Sequence, residues 1–378
     1  MTAAVWITDT TSVTALGRNL EELWQRLLSG QSAIAPVKRF SVNGYRSRFA
    51  ACIEDLNRTG NLSAFHDLLT RLFDQMGPVP TDARLYTATT KAGIDNLERI
   101  CKQAPADSSD LRLTAIAKKV TNRLGLTHTG INISAACASS AIAVAKGAAL
   151  IAAGRAECVL ICCIDLVTEF VFSGFSALGA LSPKPCMPFD RERNGLTLGE
   201  GAASLLLMKS ERAKREGRPH LGTILGWGVA NDAFHVTAPS SDGCGLVAAV
   251  RQSLNRAHLE PEAISAVCAH GTGTVYNDHM ELMAVDQLFK NRKLPLYSIK
   301  GAIGHTLGAA GGIEIALGLK ALSEGVAPPT VGFSQGEGRT VGRVSSEAST
   351  IPGDHLLSTN SGFGGINAAL ILAKGEEA

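Results

Sequence analysis

Short apolar runs alternate with segments of helical period along this chain, on both sides of one charged joint, Lys209-Ser210-Glu211-Arg212-Ala213-Lys214-Arg215-Glu216-Gly217-Arg218-Pro219. Before the joint the pattern predicts strands at 5–8, 84–89, 131–134, 157–165 and 199–208, with helices at 20–28, 63–76, 111–124 and 138–153. After it, strands at 220–229, 263–269, 294–298, 356–359 and 368–373 alternate with helices at 246–257, 277–289 and 308–322. Such β-α alternation implies α/β layers with parallel strands. The two halves agree in size and element order but share no visible repeat, so a duplicated fold is only a suspicion at this level. Residues 41–115 mix Gly, Asn, Pro and charges and resist assignment outside 63–76 and 84–89.

Several function classes fall away on composition. With 378 residues, 45% hydrophobic and 19% charged, the chain is expected to bury a large core. A net charge of +2 gives no case for nucleic acid or a membrane surface. No apolar run reaches bilayer length, and Met1 to Thr10 lacks a basic start followed by an apolar stretch, so a cytoplasmic protein is expected. Nine cysteines, with no C-x-x-C, read as reduced thiols.

One of them sits differently. Cys137 lies in Ser134-Ala135-Ala136-Cys137-Ala138-Ser139-Ser140, between a strand-like run and an Ala-rich helix. A sulfur at a helix N-terminus gains from the unpaired amides and the helix dipole, so a lowered thiol pKa is expected. On position alone a buried structural thiol is the commoner reading. Two downstream histidines shift it: His270 opens His270-Gly271-Thr272-Gly273-Thr274, and His305 sits in Gly304-His305-Thr306. Both lie in glycine-flanked turns, which lets a slender group approach. Lys300 precedes His305 by five residues, with Glu281 as its candidate carboxylate. Gly362-Phe363-Gly364-Gly365-Ile366-Asn367 matches neither phosphate-loop pattern and reads as a flap whose amide meets a carbonyl. No metal is expected, because the histidines lie apart in sequence without a further ligand-spaced set.

Together these segments resemble the β-ketoacyl-acyl carrier protein synthases, condensing enzymes of the thiolase-like superfamily, over almost the whole chain. The resemblance rests on Ala-Cys137-Ala-Ser, on His270-Gly-Thr-Gly-Thr through Asp278 and Glu281, and on Ser298-x-Lys300 through Gly-His305 to Gly312. It rests also on Asn360 to Asn367 and on Pro188-Phe189-Asp190 to Ala202. It implies an α/β thiolase-like fold: duplicated βαβαβαββ halves, 1–212 with the nucleophile and 213–378 with both histidines and the gating loop, stacked as a five-layer α-β-α-β-α sandwich. It implies that Cys137 carries an acyl group, with the amides of Cys137 and Phe363 as oxyanion hole and Gly362 and Gly364 flanking the gate. His270 and His305 would donate hydrogen bonds to a malonyl thioester as CO2 leaves, one of them also positioning water or the carboxylate. Lys300, Glu281 and Asp278 would support them, and Thr272 and Thr274 would meet the pantetheine arm.

No bound cofactor is implied; substrates ride on the phosphopantetheine of an acyl carrier protein. The expected partners are that carrier and a second subunit, identical or a related chain-length factor. A silent partner subunit, which usually loses the nucleophile, and a thioester hydrolase or thiolase are the rival readings. The chain departs from the family in an abbreviated 41–115 region, in Ser361 where an aromatic is common, in Asn194 where Asp is common, and in Asp9-Thr10-Thr11 at its opening.

Overall fold

The computed structural model describes residues 3–290 and 292–376. Ten strands form its main sheet: β1 Val5–Thr14, β2 Arg84–Ala88, β3 Ile131–Ile133, β4 Cys158–Asp165, β5 Gly201–Lys209, β6 Gly222–Asn231, β7 Ala266–Cys268, β8 Leu296–Tyr297, β9 His355–Gly362 and β10 Ile366–Lys374. The helices that cover it are α1 Leu20–Leu28, α2 Phe65–Phe73, α3 Thr114–Leu124, α4 Ser139–Ala152, α5 Glu169–Ala177, α6 Cys244–Ala257, α7 Val275–Phe289 and α8 Ala310–Glu324.

Strand order makes the duplication visible where sequence does not. The order is β8-β7-β9-β10-β6-β1-β5-β4-β2-β3. Counted within its own half, each set of five strands therefore runs third, second, fourth, fifth, first. The halves meet at β1 and β6, through Val5↔Ile224, Trp6↔Thr223 and Ile7↔Gly222.

Side-chain alternation then builds the layers, because successive residues of a strand face opposite sides. Ile161 and Leu205 point inward with Leu356 and Leu370 onto α4 and α8, the shared central layer. Leu160 and Leu206 point the other way, against Leu68 and Leu72 of α2 and Ile116 and Val120 of α3. On the far side, Leu357 and Ile371 meet Leu246 and Val250 of α6 and Met280 of α7. Helix, sheet, helix, sheet, helix is the result. The two central helices cross closely, since a Cβ on Gly311 would lie 2.8 Å from the Ala141 N, and α8 also presses on β4, since one on Gly312 would lie 2.4 Å from the Cys163 sulfur.

Two expectations need correction. The strands are not all parallel: β2–β3, β2–β4, β7–β8 and β7–β9 are, but β4–β5, β5–β1, β9–β10 and β10–β6 are antiparallel. The few residues between β9 and β10 allow only a hairpin, since a parallel return needs a long crossover. Strand β1 also runs well beyond residue 8. Two of its polar residues are paired across to β5, Thr8 Oγ1 donating to Leu206 O at 3.2 Å and Thr11 Oγ1 meeting Ser204 Oγ at 2.9 Å. Among the described residues all nine cysteines are free, and no helix is long and apolar enough to cross a membrane.

Candidate active site

Cys137 stands on a tight bend between β3 and α4. Ala136 takes φ +48, a left-handed conformation that a residue with a Cβ adopts only when its surroundings impose it. The Ser139 hydroxyl imposes it, donating to Ala136 O at 2.6 Å and accepting from Ala135 N at 2.8 Å. The end of β9 closes over the bend. A Cβ on Gly362 would lie 3.1 Å from the Cys137 N, and the Phe363 amide is directed at the Cys137 sulfur.

Burial dominates the thiol. It pushes the Cys137 pKa up to about 11, against the pull of the Lys300 and Lys91 charges. This corrects the expectation of a lowered value: the side chain is only 7% exposed, and a thiolate loses more solvation there than one helix terminus returns.

His270 follows β7, and the loop it opens is held by two acids of α7. Glu281 accepts from the amides of His270 (2.7 Å) and Gly271 (2.6 Å). Asp278 accepts from Thr272 N (3.0 Å), Gly273 N (3.2 Å) and Phe189 N (2.7 Å). The last bond ties the Pro188-Phe189-Asp190 signature to the histidine loop. Burial pushes the Glu281 carboxyl up to about 7, its amide donors holding it back, and raises Asp278. Thr274 caps α7 through Asn277 N, and its hydroxyl meets that of Thr272 at 2.9 Å.

Lys300 is not paired with Glu281. It bonds Glu314 of α8, the His270 carbonyl, and His270 Nδ1 at 3.2 Å. Asn360 Nδ2 donates to Glu314 Oε2 at 2.6 Å and approaches His270 Nδ1 at 3.4 Å. Sequence reasoning missed Glu314 and placed Asn360 only in the gating-loop motif. Glu314 did carry a signal, as the one acid in the apolar stretch from Ala310 to Leu319.

These contacts assign both tautomers. Nδ1 of His270 faces donors only, and Nδ1 of His305 accepts from Leu307 N at 3.1 Å. A neutral ring accepting at Nδ1 carries its proton on Nε2. Both rings are neutral, since burial first and the Lys300 charge next hold each pKa well below the ordinary histidine value. The rings stand edge to face, 5.1 Å apart at 84°. His305 is further seated on the chain before β5, its N–H donating to Thr197 O (2.7 Å) and its carbonyl accepting from Gly199 N (2.9 Å).

Side-chain atoms of Cys137, His270 and His305 lie within 4.8 Å of one another. Distance in sequence was therefore no argument against a metal, because folding brings the three to ligand spacing. The Lys300 ammonium is the better argument, since its positive charge beside His270 disfavours a second cation.

Two chambers meet at the sulfur. One, of about 300 Å³, is lined by His270, His305, Thr272, Thr274 and Asn194. The other, of about 610 Å³, is lined by Phe170, Val171, Leu307 and Lys91. Cys137, Phe175 and Phe363 wall both, the two aromatic rings stacked 5.7 Å apart at 26°.

Residues 104–213 match the model of the β-ketoacyl synthase N-terminal domain, and residues 221–334 that of the β-ketoacyl synthase C-terminal domain. A 3-oxoacyl-[acyl-carrier-protein] synthase 2 from Rhizobium meliloti is 30% identical over 421 residues, covering 98% of each chain. The chain belongs to the β-ketoacyl synthase family. Solved relatives agree on its thiolase-like fold. The ishigamide ketosynthase/chain length factor superposes with a TM-score of 0.90 at 25% identity, covering 99% of this chain and 100% of that one. A β-ketoacyl synthase from Burkholderia phymatum gives 0.89 at 26%, with the same coverage.

Proposed function

We propose that this β-ketoacyl synthase is a working ketosynthase of the cytoplasm, divided at 212/213, that joins an acyl group on Cys137 to malonyl-acyl carrier protein. The observation that carries the reading is the meeting of a thiol and two Nε2–H donors where two chambers join. In the first half-reaction Cys137 Sγ bonds the acyl carbonyl carbon, the bond to the pantetheine sulfur breaks, and the thiol proton leaves with pantetheine. The amides of Cys137 and Phe363 hold the oxyanion. Malonyl-carrier protein then enters on the Thr272 and Thr274 side. The two imidazole N–H groups bind its thioester oxygen, CO2 departs, and the enolate carbon attacks the acyl carbonyl. The C–S bond to Cys137 breaks, the sulfur takes up a proton from solvent, and 3-oxoacyl-carrier protein is released. Fatty acid or polyketide products fit this chemistry equally.

A second reading has one observation behind it: one of the similar structures is a ketosynthase/chain length factor, and in a heterodimer of that kind this chain would be the silent subunit. The retained Cys137, His270 and His305 favour the catalytic side. The test combines the purified protein, acyl- and malonyl-carrier proteins and, where it co-purifies, the partner subunit. Expected are a Cys137 acyl adduct by intact mass, CO2, and a 3-oxoacyl product. A Cys137→Ala complex with full activity would assign the silent role instead, and free acid alone would indicate hydrolysis.

A further inference from the structure

Lys91 is a charged side chain in the wall of the larger, otherwise mainly apolar chamber. Its backbone is fixed. Asp165, at the end of β4, accepts from Thr89 Oγ1 (2.8 Å), Thr90 Oγ1 (2.9 Å), Thr90 N (3.1 Å) and Gly308 N (2.7 Å). The Thr89 hydroxyl in turn receives the amides of Lys91 (3.4 Å) and Ala92 (2.9 Å). The lysine therefore stands on a turn pinned by a fully buried carboxylate.

Its own charge is poorly answered. Nζ bonds Thr90 Oγ1 at 3.3 Å, and among the described residues no carboxylate oxygen lies within the 4.0 Å of an ion pair. The Asp165 oxygens are already taken by the four donor groups above. The side chain is half-buried, and its field reaches both Cys137 and His305. Asp165 feels the Lys91 charge from beyond ion-pair contact, and an ammonium held against apolar walls without direct pairing costs free energy. A chamber for a plain hydrocarbon chain would be cheaper without it.

We propose that Lys91 selects the acyl chain, so that the chamber prefers a chain bearing an oxygen acceptor, carbonyl or carboxylate, over a hydrocarbon chain of equal length. The inference rests on the reading that Cys137 carries the acyl group. In loading, the Cys137 sulfur bonds the acyl carbon and the pantetheine thiol leaves with the proton. Lys91 takes no part in that exchange and binds the oxygen farther along the chain.

Three carrier-protein thioesters of matched length test it: octanoyl, 5-oxooctanoyl and 7-carboxyheptanoyl. Intact mass follows the rate of Cys137 adduct formation for the wild-type protein, Lys91→Met and Lys91→Arg. A charge-assisted hydrogen bond is strong enough to give the wild type a preference of about tenfold for one or both oxygenated chains. Lys91→Met is expected to bring that ratio near one, and Lys91→Arg to retain it. Which oxygenated chain leads distinguishes a carbonyl from a carboxylate ligand. Equal wild-type rates for all three chains, or an unchanged preference in Lys91→Met, would overturn the role of Lys91 and leave the ketosynthase reading standing. Should Lys91→Met not fold, the wild-type ratio and Lys91→Arg still decide. No Cys137 adduct with any thioester would sink the ketosynthase reading and this inference with it.

Discussion

His270 and His305 act through the ring nitrogen that carries the proton, and both rings have Nδ1 occupied by a donor. In the proposed reaction they serve as hydrogen-bond donors at Nε2 and not as bases. His305→Ala is therefore expected to cut CO2 release from malonyl-carrier protein by about 10²–10³ while Cys137 still accepts acyl groups. Release at the parent rate would remove His305 from the decarboxylation step. The thiol makes the opposite demand on pH. With burial holding Cys137 up to about 11, its alkylation by iodoacetamide should keep climbing from pH 8 to pH 10, and a plateau reached by pH 7 would contradict the buried-thiol account. Glu314 offers a third test. It and Lys300 are each 1% exposed, so Glu314→Ala strands a buried ammonium and should cost about 3–5 kcal/mol in urea unfolding. Cys137, His270, His305 and Lys300 were all legible in the sequence because each stands in a distinctive short motif. The Lys300–Glu314 pair was not, because Glu281 was equally plausible from spacing and only the three-dimensional path of α8 decides between them.

Helices α4 and α8 show what close packing requires of an element. Their contact is made of Gly311, Gly312, Ala141 and Ser140, with Ser140 Oγ accepting from Gly312 N at 2.9 Å. Gly311→Leu would drive side-chain atoms into the Ala141 backbone and into Asn360, which bonds Glu314. Overpacking of this kind costs roughly 1–3 kcal/mol, and the expected readout is a lowered urea midpoint together with a loss of CO2 release larger than stability alone explains. An unchanged midpoint would mean that the crossing is looser than described. Both helices were readable from composition, since Ala-rich runs with few charges suit a helix packed on most sides, and the glycines allow close approach. Outside 63–76 and 84–89, the segment from 41 to 115 was not. It is held by polar bonds between side chain and backbone, such as Asp110 accepting from Ser63 N (2.9 Å), Asp95 from Ala64 N (3.0 Å) and Asn96 Nδ2 donating to Asp107 O (3.0 Å). Contacts of that kind leave no periodicity behind. The reversal of β10 was in principle available, since the spacing from Thr359 to Ala368 is too short for a parallel return.

The whole molecule carries these local pKa shifts as a response to acid. His270 and His305 are neutral when folded and take protons near pH 6.5 when unfolded, so their contribution is present above 6.5 and is lost as the pH falls. Glu281 has the opposite sign, since its folded value of about 7 exceeds its ordinary one and it favours the folded state as the pH falls. His220, also lowered by burial, adds to the imidazole side, while Asp278, Asp165 and Asp9 share the sign of Glu281 but rise from an ordinary value of 3.8, so the unfolded chain binds more protons just below pH 6.5. The melting temperature should therefore decline between pH 6.5 and 5.5, and a rise over that window would show that the imidazoles are not held neutral. The duplication left no visible repeat and was reached only through the family resemblance, because strand order is fixed by burial of alternate faces, which unrelated apolar residues satisfy equally well. The position of β10 has a consequence in time. This strand lies between β9 and β6 in the middle of its half-sheet, and Phe363 sits on the turn that leads into it. A chain still on the ribosome can display Cys137 and both histidines long before β10 emerges, yet neither the half-sheet nor the Phe363 wall can close. Closure of the wall beside Cys137 therefore waits on a strand that is among the last parts of the fold to be made.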